Sequence, residues 1–318
     1  AAPELALAAL AVAYAVLWIG DGAGGVPWTA IVGRAIPATR RGGFFATTQV
    51  LGGVGRIGVG FVVAGVLGEE GVAFPANAGL LVLGCAVFMA LSFTFLALIR
   101  EPAPEEDRPS APGPLPLGAY LRTLPGLLSG RADFARLALV QVLGAGLVAA
   151  YPFYVAVARD ALPGLPPGIE GRFLIVYTVG SLIGAPVWGR LTDRHGPRAA
   201  LLALLAVSAL SPVLAGVGAA GGGLAAFFAA YACLGAVMEG GWAVFTNYLL
   251  ETIPEPEQPT HLGMLSVLNA PTLAFPLVAG TLVRAFGPPS TLFLAVALLV
   301  PGFFIALGLR NPRRVHCS

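Results

Sequence analysis

Three ionisable residues stand inside long apolar stretches of this sequence, and they are where it could do chemistry: Asp21, Arg56 and Glu239. A charge at the centre of a bilayer costs about 3 kcal/mol or more, so a chain that keeps one there has a use for it, as a ligand for a polar solute or as a carrier of protons. Asp21 lies fifteen residues before Ile36 and Arg56 thirteen after Gly43. At ~1.5 Å per helical residue both would stand about 20 Å from one end of a hairpin. They could pair, either as a structural ion pair or as part of a site. Around these charges, Tyr14, Trp18, Gln141, Tyr151, Tyr154, Trp242 and Asn247 are candidates to line a polar cavity. Each taken alone also fits a packed or interfacial side chain.

A second constellation is a short charged segment between two apolar blocks, Gly189-Arg190-Leu191-Thr192-Asp193-Arg194-His195-Gly196-Pro197-Arg198. The spacing predicts that Gly189 ends one helix and that Gly196 forms the turn before the next. Pro197 suits a first helical turn, and Asp193 stands near enough to that N-terminus to favour its positive dipole end.

The elements that must position these residues follow from composition. Of 318 residues 57% are hydrophobic and 11% charged, with a mean hydropathy of +0.84. Ordinary globular domains carry about 25% charge, so a soluble enzyme is excluded. Apolar blocks run at about 5–33, 46–67, 77–99, 137–158, 172–188, 199–217, 222–250, 263–285 and 290–309, each near the length that crosses a hydrocarbon core. Nine spanning helices are expected. Residues 100–134 form the one long polar stretch, with six prolines between Pro102 and Pro116; they read as an extended linker. Leu117, Tyr120, Leu121, Leu124, Leu127 and Leu128 in it suggest a short amphipathic helix at the interface. The expected units are thus 1–99, the linker 100–134, and 135–318.

All eighteen basic residues are arginine. With the linker and the C-terminus cytoplasmic, fourteen fall on the inner side (34, 40, 41, 100, 108, 122, 131, 136, 190, 194, 198, 310, 313 and 314) and three outside (159, 172 and 284). The positive-inside rule therefore sets that orientation. Arginine is too sparse for a nucleic-acid footprint. Cys85, Cys233 and Cys317 have no metal-ligand spacing, and neither metal nor other cofactor is expected. No nucleophile or metalloprotease signature appears, and His195 and His261 fall in loops, which argues against an intramembrane enzyme.

The chain also repeats itself. Shifted by 217, residues 7–37 align with 224–254 at eleven of 31 positions, including Tyr14 with Tyr231, Thr29 with Thr246 and Ile36-Pro37 with Ile253-Pro254. Duplicated halves are common in transporters. The first block then corresponds to the fourth helix after the linker, and the repeat predicts three further helices ahead of residue 1, an N-terminal truncation of a twelve-helix molecule.

Taken together, the segment 189–198 resembles the GxLxDRxGxR loop signature of the major facilitator superfamily, which joins the second and third helices of each half, as it does here in the rear half. Arg34-Ala35-Ile36-Pro37-Ala38-Thr39-Arg40-Arg41-Gly42 is similar to the basic loop after the fourth helix in that family. The resemblance implies an all-α membrane bundle holding the last three helices of the front half and all six of the rear. It implies a monomer in a plasma or bacterial inner membrane that moves a small organic solute by alternating access, with a proton as candidate coupling ion. It further implies that Gly189, Asp193, Arg194, Gly196 and Arg198 form a conformational gate, and that Asp21 and Glu239 face a central cavity from opposite halves. Two family features are missing. The early arginine of the fourth helix has no counterpart in 5–20, and the Gly-Pro motif of drug antiporters is absent from 46–67. The competing expectation is a non-transporting relic or sensor.

Overall fold

The computed structural model describes residues 38–68, 71–99, 131–254 and 257–312, with isolated positions before 38 and at 126. Asp21, Tyr14 and Trp18, the first apolar block and the linker helix therefore lie outside the described residues. Among the described residues all regular structure is helical. In order these helices are α1 (Ala38–Val66), α2 (Ala76–Ala97), α3 (Ala132–Gly144), α4 (Gly146–Ala150), α5 (Tyr154–Ala161), α6 (Ile169–His195), α7 (Pro197–Val217), α8 (Gly223–Thr252), α9 (Gln258–Asn269), α10 (Phe275–Phe286) and α11 (Ser290–Leu307). Six continuous runs, 76–97, 132–161, 169–195, 197–252, 260–286 and 290–307, are long and apolar enough to cross a membrane. With them the chain is an integral, multi-pass membrane protein. The 56-residue run folds back at Gly221 and Gly223, whose φ of 111° and 71° only glycine adopts freely, so α7 and α8 lie side by side.

Two compact units divide the chain, 1–51 with 74–113, and 52–73 with 114–318. In the first, α2 has no buried residue and is apolar on every face, as befits a helix whose solvent is lipid. The second carries the core. Its centre is α8, which packs most extensively on α6 and α7, while α11 covers α7, α3 and α4. Leu137, Val140, Tyr154, Phe173, Leu201, Phe227 and Leu249 are fully buried there.

The α6–α8 contact is built on small residues. A Cβ on Gly180, Gly184 or Gly235 would overlap the backbone of Ala232, Ala236 or Tyr177 across the contact. In lipid such close approach, not hydrophobic exclusion, drives helix association. The second half of α1 docks on α6 the same way, Gly60 and Ala64 facing Gly168 and Gly171.

The structure corrects several expectations. The helix expected to begin at 46 starts at Ala38, so the second half of the Arg34–Gly42 segment is helical and not a loop. Gly189 does not end a helix: α6 runs through it to His195, because the ~1 kcal/mol helical penalty of glycine is easily outweighed in a packed span. His195 is the last residue of α6, and His261 lies in α9, fully buried, so neither is a loop residue. The blocks 137–158 and 263–285 are broken helices. The first passes from α3 to α4 at Ala145 and through a 3-10 turn at Tyr151–Phe153; the second passes through a 3-10 turn at Ala270–Ala274 into α10.

Candidate functional site

Arg56 and Glu239 meet. The Arg56 Nη1 donates to Glu239 Oε1 at 2.5 Å, with both side chains about 30% exposed. Glu239 is held in place from behind: Gly240, next to it on α8, receives the Trp188 indole so closely that a Cβ would overlap it, and Trp188 Nε1 donates to the Ala236 carbonyl at 2.6 Å. Arg56 is carried by the stretch of α1 that Gly60 and Ala64 seat on α6. The sequence placed Arg56 opposite Asp21, which lies outside the described residues; the described partner of Arg56 is Glu239.

Met238 and Gly241, which flank Glu239 and Gly240 on α8, border a cavity of about 300 Å³ between α3, α4, α7, α8 and α9. Gln141 and Trp242, both expected at a cavity, line it, together with Ser208, Phe245, Thr246, Ser266 and Asn269. Among the described residues none that lines it is ionisable. The Ser208 and Ser266 hydroxyls donate back to the carbonyls of Leu204 and Leu262 in their own helices, a local bond common for serine in membrane helices. Gln141 Oε1 and Asn269 Oδ1 are buried and accept no hydrogen bond. Trp242 is 78% exposed. Thr246, Ser266 and Asn269 carry no sequence signal of their own, because only the packing of α8 beside the broken α9 brings them to one wall.

A second hollow of about 250 Å³ is lined by Tyr151, Glu170, Phe173, Tyr177, Tyr231 and Met238 among others. Tyr151 is thus at a cavity, though a different one. Met238 borders both. Glu170 is engaged through Oε1 by Arg159, whose Nε stands at 3.0 Å. Tyr154 lines neither cavity: it is fully buried, bonded to Ser211 at 3.1 Å and edge-on to Tyr231. Asn247 is half-buried on α8 outside both.

The segment 189–198 becomes one turn. Gly196 alone joins α6 to α7, with φ 86° and ψ 163°, a conformation essentially reserved for glycine. Asp193 and Arg194 are exposed in the last turn of α6. Arg198 reaches away from the loop and donates to the Leu307 carbonyl at the end of α11, at 2.7 Å. Arg136 donates to the Gly308 carbonyl at 3.1 Å, and Tyr248 to that of Arg310 at 2.9 Å. Asp133 completes the group, 3.3 Å from Arg310. Three donors thus hold carbonyls at and just beyond the end of α11, that of Leu307 within the helix and those of Gly308 and Arg310 after it, and the two arginines offset its negative end. The sequence did not join Arg136, Asp133 and Tyr248 into one group, since only the fold brings α3 and α8 to the end of α11.

No curated protein matches the chain. Residues 164–316 match the sequence model of the Major Facilitator Superfamily. That span holds the one-glycine turn and every helix from α6 to α11, and over it the chain is similar to the Major Facilitator Superfamily of membrane transporters.

Proposed function

We propose that this protein is a secondary active transporter of a small organic solute, working by alternating access, with Arg56 and Glu239 as the coupling pair and a proton as the coupled ion. The observation that carries this reading is the Arg56–Glu239 ion pair, held between two apolar helices and next to a cavity of solute size. Breaking such a pair without a replacement partner is expensive. A proton on Glu239 or a solute dipole beside Arg56 supplies the replacement, which ties their arrival to a rearrangement of α1 against α8. The linker and C-terminus are cytoplasmic in this reading, which places the Gly196 turn and its arginines at the inner surface, as gate residues.

The test is accumulation by proteoliposomes of the full chain, with an imposed pH gradient and a mixture of small solutes whose internal levels are read by mass spectrometry. The wild type should concentrate at least one solute, and Glu239→Gln should only equilibrate it. No accumulation of any solute would sink the transport reading; undiminished accumulation by Glu239→Gln would sink the coupling role.

A further inference from the structure

The cavity between α3, α4, α7, α8 and α9 has a chemistry of its own. Two buried amide oxygens in its wall, Gln141 Oε1 on α3 and Asn269 Oδ1 on α9, accept no hydrogen bond. A buried acceptor left unmet is costly, and the cost is relieved when a donor arrives. Both oxygens are closed to water in this structure, so what relieves them must enter the cavity and draw the amides toward it. The positions favour that movement. Gln141 stands four residues before the break at Ala145, where its own carbonyl accepts the Ala145 N–H at 3.0 Å. Asn269 is the last residue of α9 before the 3-10 turn of Ala270–Ala274. Interrupted membrane helices commonly flank solute sites, because their backbone can adjust without unfolding.

The rest of the wall defines what else the solute must be. Among the described residues it offers no charge to balance an ion, and Trp242 and Phe245 offer aromatic surface. The geometry points to an uncharged solute with at least two hydroxyl or similar donors on one side and an apolar face on the other. It binds with the donors on Gln141 and Asn269 and the apolar face on Trp242 and Phe245. Hydroxyls suit amides best, because a hydroxyl both donates to the amide oxygen and accepts from its NH2 group. This deepens the transport reading, and rests on it for the solute being moved as well as held.

Four probes on one skeleton test it: 1-phenylethane-1,2-diol, its dimethyl ether, mandelate, and 2-amino-1-phenylethanol in its ammonium form. Calorimetric titration into the full chain in lipid nanodiscs should show the diol binding at least roughly tenfold tighter than the other three. Gln141→Leu and Asn269→Leu should each weaken the diol by roughly tenfold and leave the ether unchanged, since each removes one acceptor. The inference is overturned if mandelate or the ammonium binds as tightly as the diol, if the variants leave the diol-to-ether ratio unchanged, or if no probe binds the wild type. The comparison among probes needs no variant, so it decides even if a substituted chain fails to fold. Uptake of the diol into proteoliposomes separates the two readings. Selective binding without uptake overturns transport and keeps the solute class, whereas accumulation of charged solutes with no preference for the diol overturns the class and keeps transport.

Discussion

Arg56 and Glu239, 183 residues apart in sequence, form an ion pair at 2.5 Å, and Trp188 and Gly240 fix the carboxylate half of it. Removing one member leaves the other without its partner in an apolar setting. With side chains about 30% exposed, the loss is smaller than for a fully buried pair. Arg56→Gln and Glu239→Gln should each cost roughly 2 kcal/mol, and the double variant less than the sum of the two. Thermal unfolding in one detergent, arranged as a double-mutant cycle, measures the coupling; strict additivity would show that the two groups do not act as a pair.

The glycine contacts make an independent prediction about packing. Gly235→Ala forces a methyl group against the Tyr177 carbonyl, and should lower stability by about 1–3 kcal/mol as α6 and α8 are pushed apart. Gly189→Ala is the control: nothing lies within 4 Å of its Cβ position, and α6 is helical there, so the change should be neutral or stabilise by up to about 1 kcal/mol. Paired melting curves check both. A damaging Gly189→Ala would restore that residue as a helix terminator.

The single-residue turn is just as specific. Gly196→Ala must carry a side chain at φ 86° and ψ 163°, at a cost of about 1–3 kcal/mol. Arginine at 194, exposed in the same turn, should be replaceable by glutamine with little change in melting temperature. Equal tolerance at 196 and 194 would contradict the turn described.

At the other end of the same network, Arg198→Gln removes the guanidinium that donates to Leu307. A hydrogen bond of this kind from a charged donor contributes roughly 1 kcal/mol when partly exposed. Hydrogen exchange should show the last turn of α11 opening more readily, while exchange in α8 stays unchanged. Protection unaltered at residues 305–308 would show that Arg198 does not fasten that helix.

Much of this architecture could be read from the sequence, because hydropathy reports burial in lipid one block at a time. The blocks at 77–99, 172–188 and 290–309 lie within helices of the structure with ends shifted by a few residues. The pairing of Arg56 could not be read the same way. Spacing along a helix gives depth, and Glu239, fourteen residues before Ile253, stands at nearly the same depth as Asp21, fifteen before Ile36. Which carboxylate meets the arginine depends on the rotation of each helix about its axis, set by where Gly60, Gly171, Gly180 and Gly235 let neighbours approach. The helix breaks at Ala145 and Ala270 were hidden for a related reason. Gly144, Gly146, Pro152 and Pro271 are compatible with a continuous membrane helix as well as with a broken one. The 189–198 signature was legible as a turn, but its division was not: glycine serves inside α6 at 189 and between helices at 196, and only the backbone angles tell the two apart.

Met238, one residue before Glu239, is the wall shared by the two hollows of about 300 and 250 Å³. Its side chain is unbranched and turns about three bonds, unlike the rigid rings around it. A rotamer change at this single residue alters the wall of both hollows at once, with every helix left where it stands. The shape of each hollow is in this way tied to that of the other through one side chain.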